Sequence, residues 1–155
     1  GTLYGTNGRL FFLSAFKVCK KHNLPFRFAK TAGFLRRQMD GNVPFALKTA
    51  HRAVVLLAEA FGVRLLDNFV TNPYPAAKVG GYEGLCRYYE EELAKAPAGV
   101  TEVFMHPALP DEEMQRRTPE WQKRLWEFEY LSSGRFTAFA QKEGFELAGW
   151  EVLRR

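Results

Sequence analysis

The sequence predicts an α/β fold built on a parallel sheet. Apolar, strand-like runs alternate with segments of helical period, and the stretches between successive runs are long enough for helical crossovers. The composition, 46% hydrophobic and 25% charged over 155 residues, is that of one ordinary globular domain. Residues 1–155 therefore read as a single domain, with no internal repeat, low-complexity tract or interdomain linker. An open α/β sheet and part of a barrel both fit. A complete eight-stranded barrel takes about 250 residues, and only four strand candidates are found.

The first helix spans Leu10 to Lys21, with Phe11, Ala15, Val18 and Cys19 on one side and lysines near its exit, where cations suit the helix dipole. Pro25 separates it from the strand PFRFA. The next helix runs from about Pro44 to Phe61, because Leu47, Ala50, Val54, Leu57, Ala58 and Phe61 recur at steps of three and four, and Gly62 stops it. VRLLDNF, residues 63–69, is the second strand, followed by a Pro/Gly-rich loop up to Gly84. Tyr82 to Ala96 forms a helix with the stripe Leu85, Tyr89, Leu93 and Ala96, and with ion-pair spacings from Glu83 to Arg87 and from Glu91 to Lys95. VTEVFM, residues 100–105, is the best strand, and HPALPDEEM follows as a loop. Thr118, Pro119 and Glu120 start a helix whose buried side is expected to be Trp121, Leu125 and Phe128. After Ser132, Ser133 and Gly134 a short helix carries Phe136, Phe139 and Ala140 to Gly144, and ELAGW, residues 146–150, is expected as the fourth strand.

Charge is uneven. Residues 1–64 hold 11 Lys or Arg against two acids, Asp40 and Glu59, whereas residues 65–155 hold 11 against 15. The basic half offers a polyanion-binding alternative through Arg9, Lys17, Lys20, Lys21, Arg36, Arg37 and Arg52, although isolated cations on helix faces read first as solvated surface and nucleic acid is not favoured. No run approaches a membrane span and the first residues lack a secretory pattern, so no membrane association and a cytoplasmic location are expected. Cys19 and Cys86 lie far apart in helical segments and read as buried thiols.

Functional groups of parallel α/β proteins gather beyond the carboxyl ends of the strands. That rule selects Arg27 with Lys30, Asp67 with Asn68 and Thr71, His106 with Asp111, and Glu151. His106 leaves an apolar strand, is followed by Pro107 and titrates near neutral pH, so it is the leading acid–base residue; a histidine capping a loop carbonyl is the bland alternative. A metal-independent α/β enzyme using it is a second enzyme reading. Asp111 either orients His106 or is the first acid before a helix. His22 and His51, among cations on helical segments, are expected at the surface. No HxH, HxxxH or HExxH, nucleophile elbow, phosphate loop or dinucleotide fingerprint occurs, and the Gly80–Gly81 pair reads as a hinge.

From VTEVFMHPALPDEEM through the Trp-containing helix to ELAGWEVL, the sequence resembles the C-terminal portion of the YdjC-like carbohydrate deacetylases, the family containing chitooligosaccharide deacetylases. NGRLFFLSAFKVCKKHNLPFRF and GVRLLDNF resemble the helix and strands that precede that portion, whereas residues 33–60 add little. The resemblance implies a (β/α) barrel-like fold, of which this chain would be about half, and metal-assisted hydrolysis of an acetamido group on a sugar or oligosaccharide. It implies His106 as the acid that protonates the leaving amine, Arg27 as the residue orienting an active-site carboxylate, and Asp67 on the polar rim where substrate binds, with Asp111 beside it. Ala108 stands where many relatives have glycine. The family's divalent metal, Mg or Zn, is held by an aspartate near the first strand and by histidines in earlier segments, none of them in this chain, so no metal ligand is expected here. A half-barrel exposes sheet edges, and association as a homo-oligomer or with a missing N-terminal half is expected.

Overall fold

One short apolar stretch, residues 65–71, is divided between two neighbours, and that division organises the sheet. Its first part, β2 (Leu65–Leu66), pairs in parallel with β1 (Phe26–Ala29), and its second part, β3 (Asn68–Thr71), pairs in parallel with β4 (Thr101–Phe104). Asp67 is the single residue between them. The β1 ladder continues past the strand end, with Lys30 N–H donating to Leu66 O at 2.8 Å and Thr31 N–H to Asp67 O at 3.2 Å. On the other side, Asp67 N–H and Asn68 N–H both donate to Val100 O, at 2.9 and 3.2 Å. The order is thus β1, β2–β3, β4, all parallel.

This computed structural model describes residues 9–154, the side chains of residues 11–153 among them. Its helices are α1 (Arg9–Lys21), α2 (Gly33–Gln38), α3 (Phe45–Ala60), α4 (Ala76–Val79), α5 (Tyr82–Ala94), α6 (Glu112–Arg117), α7 (Trp121–Ser132) and α8 (Arg135–Lys142). A 3₁₀ turn, Trp150–Arg154, follows. None of the helices is long and apolar enough to cross a membrane.

The alternation of side chains along each strand gives the sheet two coated faces, as a parallel sheet requires. Phe16 and Cys19 of α1, Phe26 and Phe28 of β1, Ala58 of α3 and Leu65 of β2 form one apolar cluster. Val70 of β3 packs with Leu85, Cys86 and Tyr89 of α5 and with Tyr130 of α7, and Val103 joins from β4. Ala29, Leu66 and Phe69 lie with Phe34 of α2, Phe104 and Leu153 in a third cluster. Both cysteines are buried thiols, each pushed above its ordinary value by burial.

Four expectations are corrected. ELAGW is not a strand: residues 146–150 are exposed, Gly149 N–H is taken by the Glu151 carboxylate at 3.0 Å, and only Leu153 of that region turns inward. Among the described residues the sheet therefore has three parallel runs and is open. The inward face of α3 is rotated from the expected stripe, so that Leu47 and Ala50 are exposed while His51 is buried. Its ring stacks on Phe28, centroids 4.9 Å apart, and its Nε2–H donates to Ala29 O at 2.9 Å, which satisfies the polar group that burial would otherwise penalise. On α7 the buried residues are Glu127 and Tyr130, and Phe128 is exposed. Finally, the expected four-residue pairs of α5 are replaced: Glu83 pairs with Arg135 at 2.9 Å, and Lys95 with Glu92 at 3.7 Å. The segments around α2 and α6, which carry no convincing apolar period, are also helical.

Candidate active site

The register of β3 against β4 sets Phe69 beside Glu102, and Phe104 follows two residues on, so that Glu102 and Phe104 share a face. Arg27 of β1 reaches across to it. Its Nε–H donates to both oxygens of Glu102, at 2.8 and 2.9 Å, and Nη2 lies 2.7 Å from Oε1, a forked grip that fixes the carboxylate plane. The guanidinium centre lies 4.3 Å from the Phe104 ring centroid and 5.3 Å from that of Phe69, over faces whose quadrupoles attract a cation.

His106 stands just beyond the carboxyl end of β4, with its side chain exposed and its ring edge-on to Phe104 at 4.4 Å and 70°. Arg27 and His106 thus share the Phe104 ring. The backbone N–H of His106 donates to Glu127 Oε2 at 2.7 Å, and the other oxygen of Glu127 accepts from the Tyr89 hydroxyl at 3.1 Å. Glu127 is only 3% exposed. His106 titrates below its ordinary value: desolvation pushes it down, the Glu127 charge pulls it up, and Arg124, Lys123 and Arg27 push it down again.

The rim beside His106 is held by Lys123 of α7, whose ammonium donates to Asn72 O at 2.6 Å and to Tyr74 O at 2.9 Å. Its burial lowers its pKa, which the Glu127 and Glu120 charges oppose. Tyr88 donates to Thr71 O at 2.8 Å and fixes the end of β3. The Tyr89 hydroxyl is driven far above the usual tyrosine range by burial and by the Glu127 charge. These groups make a strand-end platform presenting one exposed imidazole, with the Arg27–Glu102 pair on the other side of the shared Phe104 ring.

The other sequence-selected residues lie apart from it. Asp67 is engaged in the sheet itself: Oδ1 accepts from Lys30 Nζ at 2.8 Å and Oδ2 from Val100 N–H at 2.8 Å. Burial pushes Asp67 up, but these bonds and the Lys30 charge outweigh it and leave the carboxyl below its ordinary value. Asp111 caps α6, accepting from Met114 N–H at 2.7 Å, so it takes the second of its two sequence roles: it starts a helix, and the carboxylate bonded to the His106 backbone is Glu127. Glu151 turns back on Gly149. Sequence reasoning missed Glu102 and Glu127. Glu102 left a visible signal as the lone charge in VTEVFM, whereas Glu127 is one of several acids and cations around α7.

Among the described residues, no group of three or more His, Cys, Asp or Glu side chains is placed to hold a metal ion.

The YdjC-like protein family matches residues 11–142. No curated protein sequence matches the chain. Among solved structures, a candidate cellobiose-phosphate cleavage protein from Enterococcus faecalis is similar in fold, with a TM-score of 0.62 at 21% identity, over 97% of this chain and 49% of that one. The chain thus spans about half the length of that structure. With a match that runs from α1 to the end of α8, the chain belongs to the YdjC-like protein family.

Proposed function

We propose that this chain takes part in the hydrolytic deacetylation of an N-acetylated carbohydrate, a chitooligosaccharide-like substrate, with His106 as the proton donor. Membership of the YdjC-like family supports the carbohydrate class, and the placement of His106 supports the role. When water has added to the acetamide carbonyl and the C–N bond breaks, the departing amine must take a proton, and an exposed imidazole at a strand end can deliver it. Arg27 keeps the Glu102 carboxylate in a single orientation and lies over the Phe104 ring that His106 also meets. The acetylated sugar is the partner in this reading, the cytoplasm its setting, and Asp67 and Asp111 act from the sheet and the loop rather than on the reacting bond. The two open edges, β1 and β4, are the places for a second copy or a further polypeptide. Mg or Zn belongs to the reading through the family alone, and no step is assigned to it.

The observation that carries the proposal is the exposed His106 ring, edge-on to Phe104 of β4, on a backbone whose N–H is bonded to Glu127 of α7. Replacing it, His106→Ala, is expected to lower acetate release from an N-acetylated chitooligosaccharide by about 10² to 10⁴ with the fold intact. As a proton donor, His106 also makes kcat/KM of the parent fall as pH rises through a midpoint below 6.5. Equal turnover of variant and parent would remove His106 from the reaction. The polyanion alternative is not favoured: Arg37, one of its cations, is committed to Glu92 at 2.5 Å and to Phe69 O.

A further inference from the structure

Glu127 has no role in any resemblance or motif of the sequence, yet it is the most deeply buried acid at the strand ends. A carboxylate is retained in such a place only when its oxygens are satisfied. Both are: one takes the backbone N–H of His106 at 2.7 Å, the other the Tyr89 hydroxyl at 3.1 Å. That hydroxyl lies in turn 3.4 Å from Phe104 O, so the tyrosine touches the same strand end. The carboxylate is therefore anchored from α5 and grips β4 at the residue whose ring is presented to solvent.

We propose that Glu127 is the positioning residue of His106: from the core side it fixes the backbone at which the imidazole leaves β4, and it sets one negative charge beneath a ring otherwise faced by cations. The assignment rests on the reading of His106 as proton donor for its consequence in turnover, but not for its effect on the ring. The charges that face His106 are Glu127, Arg124 and Lys123 of α7 and Arg27 of β1, the last shared with Glu102 of β4. Three cations thus oppose one anion. Removing Glu127 leaves the imidazolium among cations alone, and the ring gives up its proton at a lower pH. A purely structural carboxylate would move stability without moving that midpoint.

The test is an NMR titration of the His106 ring in the parent and in Glu127→Gln, an isosteric change that keeps an oxygen to accept from His106 N–H. The His106 midpoint is expected to fall by about one pH unit in the variant, and the His51 midpoint to stay. In the unmodified protein, the His106 amide is expected to exchange with solvent far more slowly than the amides of Leu109 and Asp111 in the same loop, a measurement that needs no variant to fold. An unchanged His106 midpoint in a folded Glu127→Gln protein, or an amide as labile as its loop neighbours, would overturn the assignment. Acetate release separates the two readings. If Glu127→Gln lowers the midpoint while His106→Ala leaves turnover intact, the positioning stands and the deacetylation reading falls. If His106→Ala abolishes turnover while Glu127→Gln changes neither midpoint nor rate, the positioning falls and the donor stands.

Discussion

Arg27 and Glu102 join two strands that do not pair with each other. β1 and β4 lie on opposite sides of the divided central run, and the guanidinium crosses over Phe69 of that run to take both oxygens of the carboxylate. The link ties together what the break at Asp67 would otherwise leave as two separate ladders.

Cutting it from either side should therefore cost stability. Arg27→Met, which keeps an apolar stem over the rings, and Glu102→Leu are each expected to cost about 1–3 kcal/mol in urea unfolding, because the remaining partner is left partly buried and unpaired; this is below the value for a fully buried pair since the arginine is partly exposed. The double variant should recover part of the loss, the result expected when an unpaired charge and not the lost contact is the main cost. Strict additivity of the two single costs would show that the pair is not coupled.

Gly99 supplies a second test of the same region. Its φ of +120° is in the territory of glycine, and a Cβ added there would lie 2.4 Å from Asp67 Oδ2. Gly62 has φ of +69° and open space around it. Gly62→Ala should cost about 1 kcal/mol from backbone strain alone, and Gly99→Ala more than about 2 kcal/mol, because the carboxylate that bridges Lys30 and Val100 must also move. Thermal unfolding of the two variants side by side checks this, and equal losses would mean that Asp67 yields without cost.

Buried His51 makes stability depend on pH in a definite direction. Burial pushes its pKa below the ordinary 6.5, only partly opposed by the bond to Ala29 O. The unfolded chain therefore takes up a proton that the folded chain refuses, and stability is fully present above about pH 6.5 and is lost as pH falls from there to the folded midpoint. His106, shifted the same way, adds to the trend. His51→Phe keeps a ring on Phe28, leaves Ala29 O without that donor at a cost of about 1 kcal/mol, and should flatten the fall in urea midpoint between about pH 7 and pH 5. An unchanged slope would place the proton uptake elsewhere.

Much of the framework was legible because it is written in local periodicity. The helices of α1, α5 and α8, the strands β1 and β4 and the glycine and proline stops all depend on neighbours a few residues apart. The failures have a common physical origin. His51 sits between Ala50 and Arg52 and looks solvated, but the carbonyl that accepts its N–H hydrogen bond is that of Ala29, contributed by a strand 22 residues away. ELAGW has strand-like residues but no neighbouring strand: β4 pairs with β3, and the final segment turns on its own Glu151 instead. At the site, Arg27 and His106 could be chosen from strand ends alone. Their partners could not, because Glu102 and Glu127 are defined by what lies across the sheet and beneath it, 75 and 21 residues distant in sequence.

Lys123 and Glu127 stand four residues apart on α7, one gripping the loop after β3 at Asn72 and Tyr74, the other the loop after β4 at His106. Residues at that spacing share one side of a helix, each residue adding about 100° of rotation. A single turn of α7 thus acts as a gauge between two loops that never need to touch each other. Lengthening that turn by one residue would swing one grip away by a quarter of a circle or more while leaving the other in place, so the separation of the two rims is encoded in an integer of sequence and not in any contact between them.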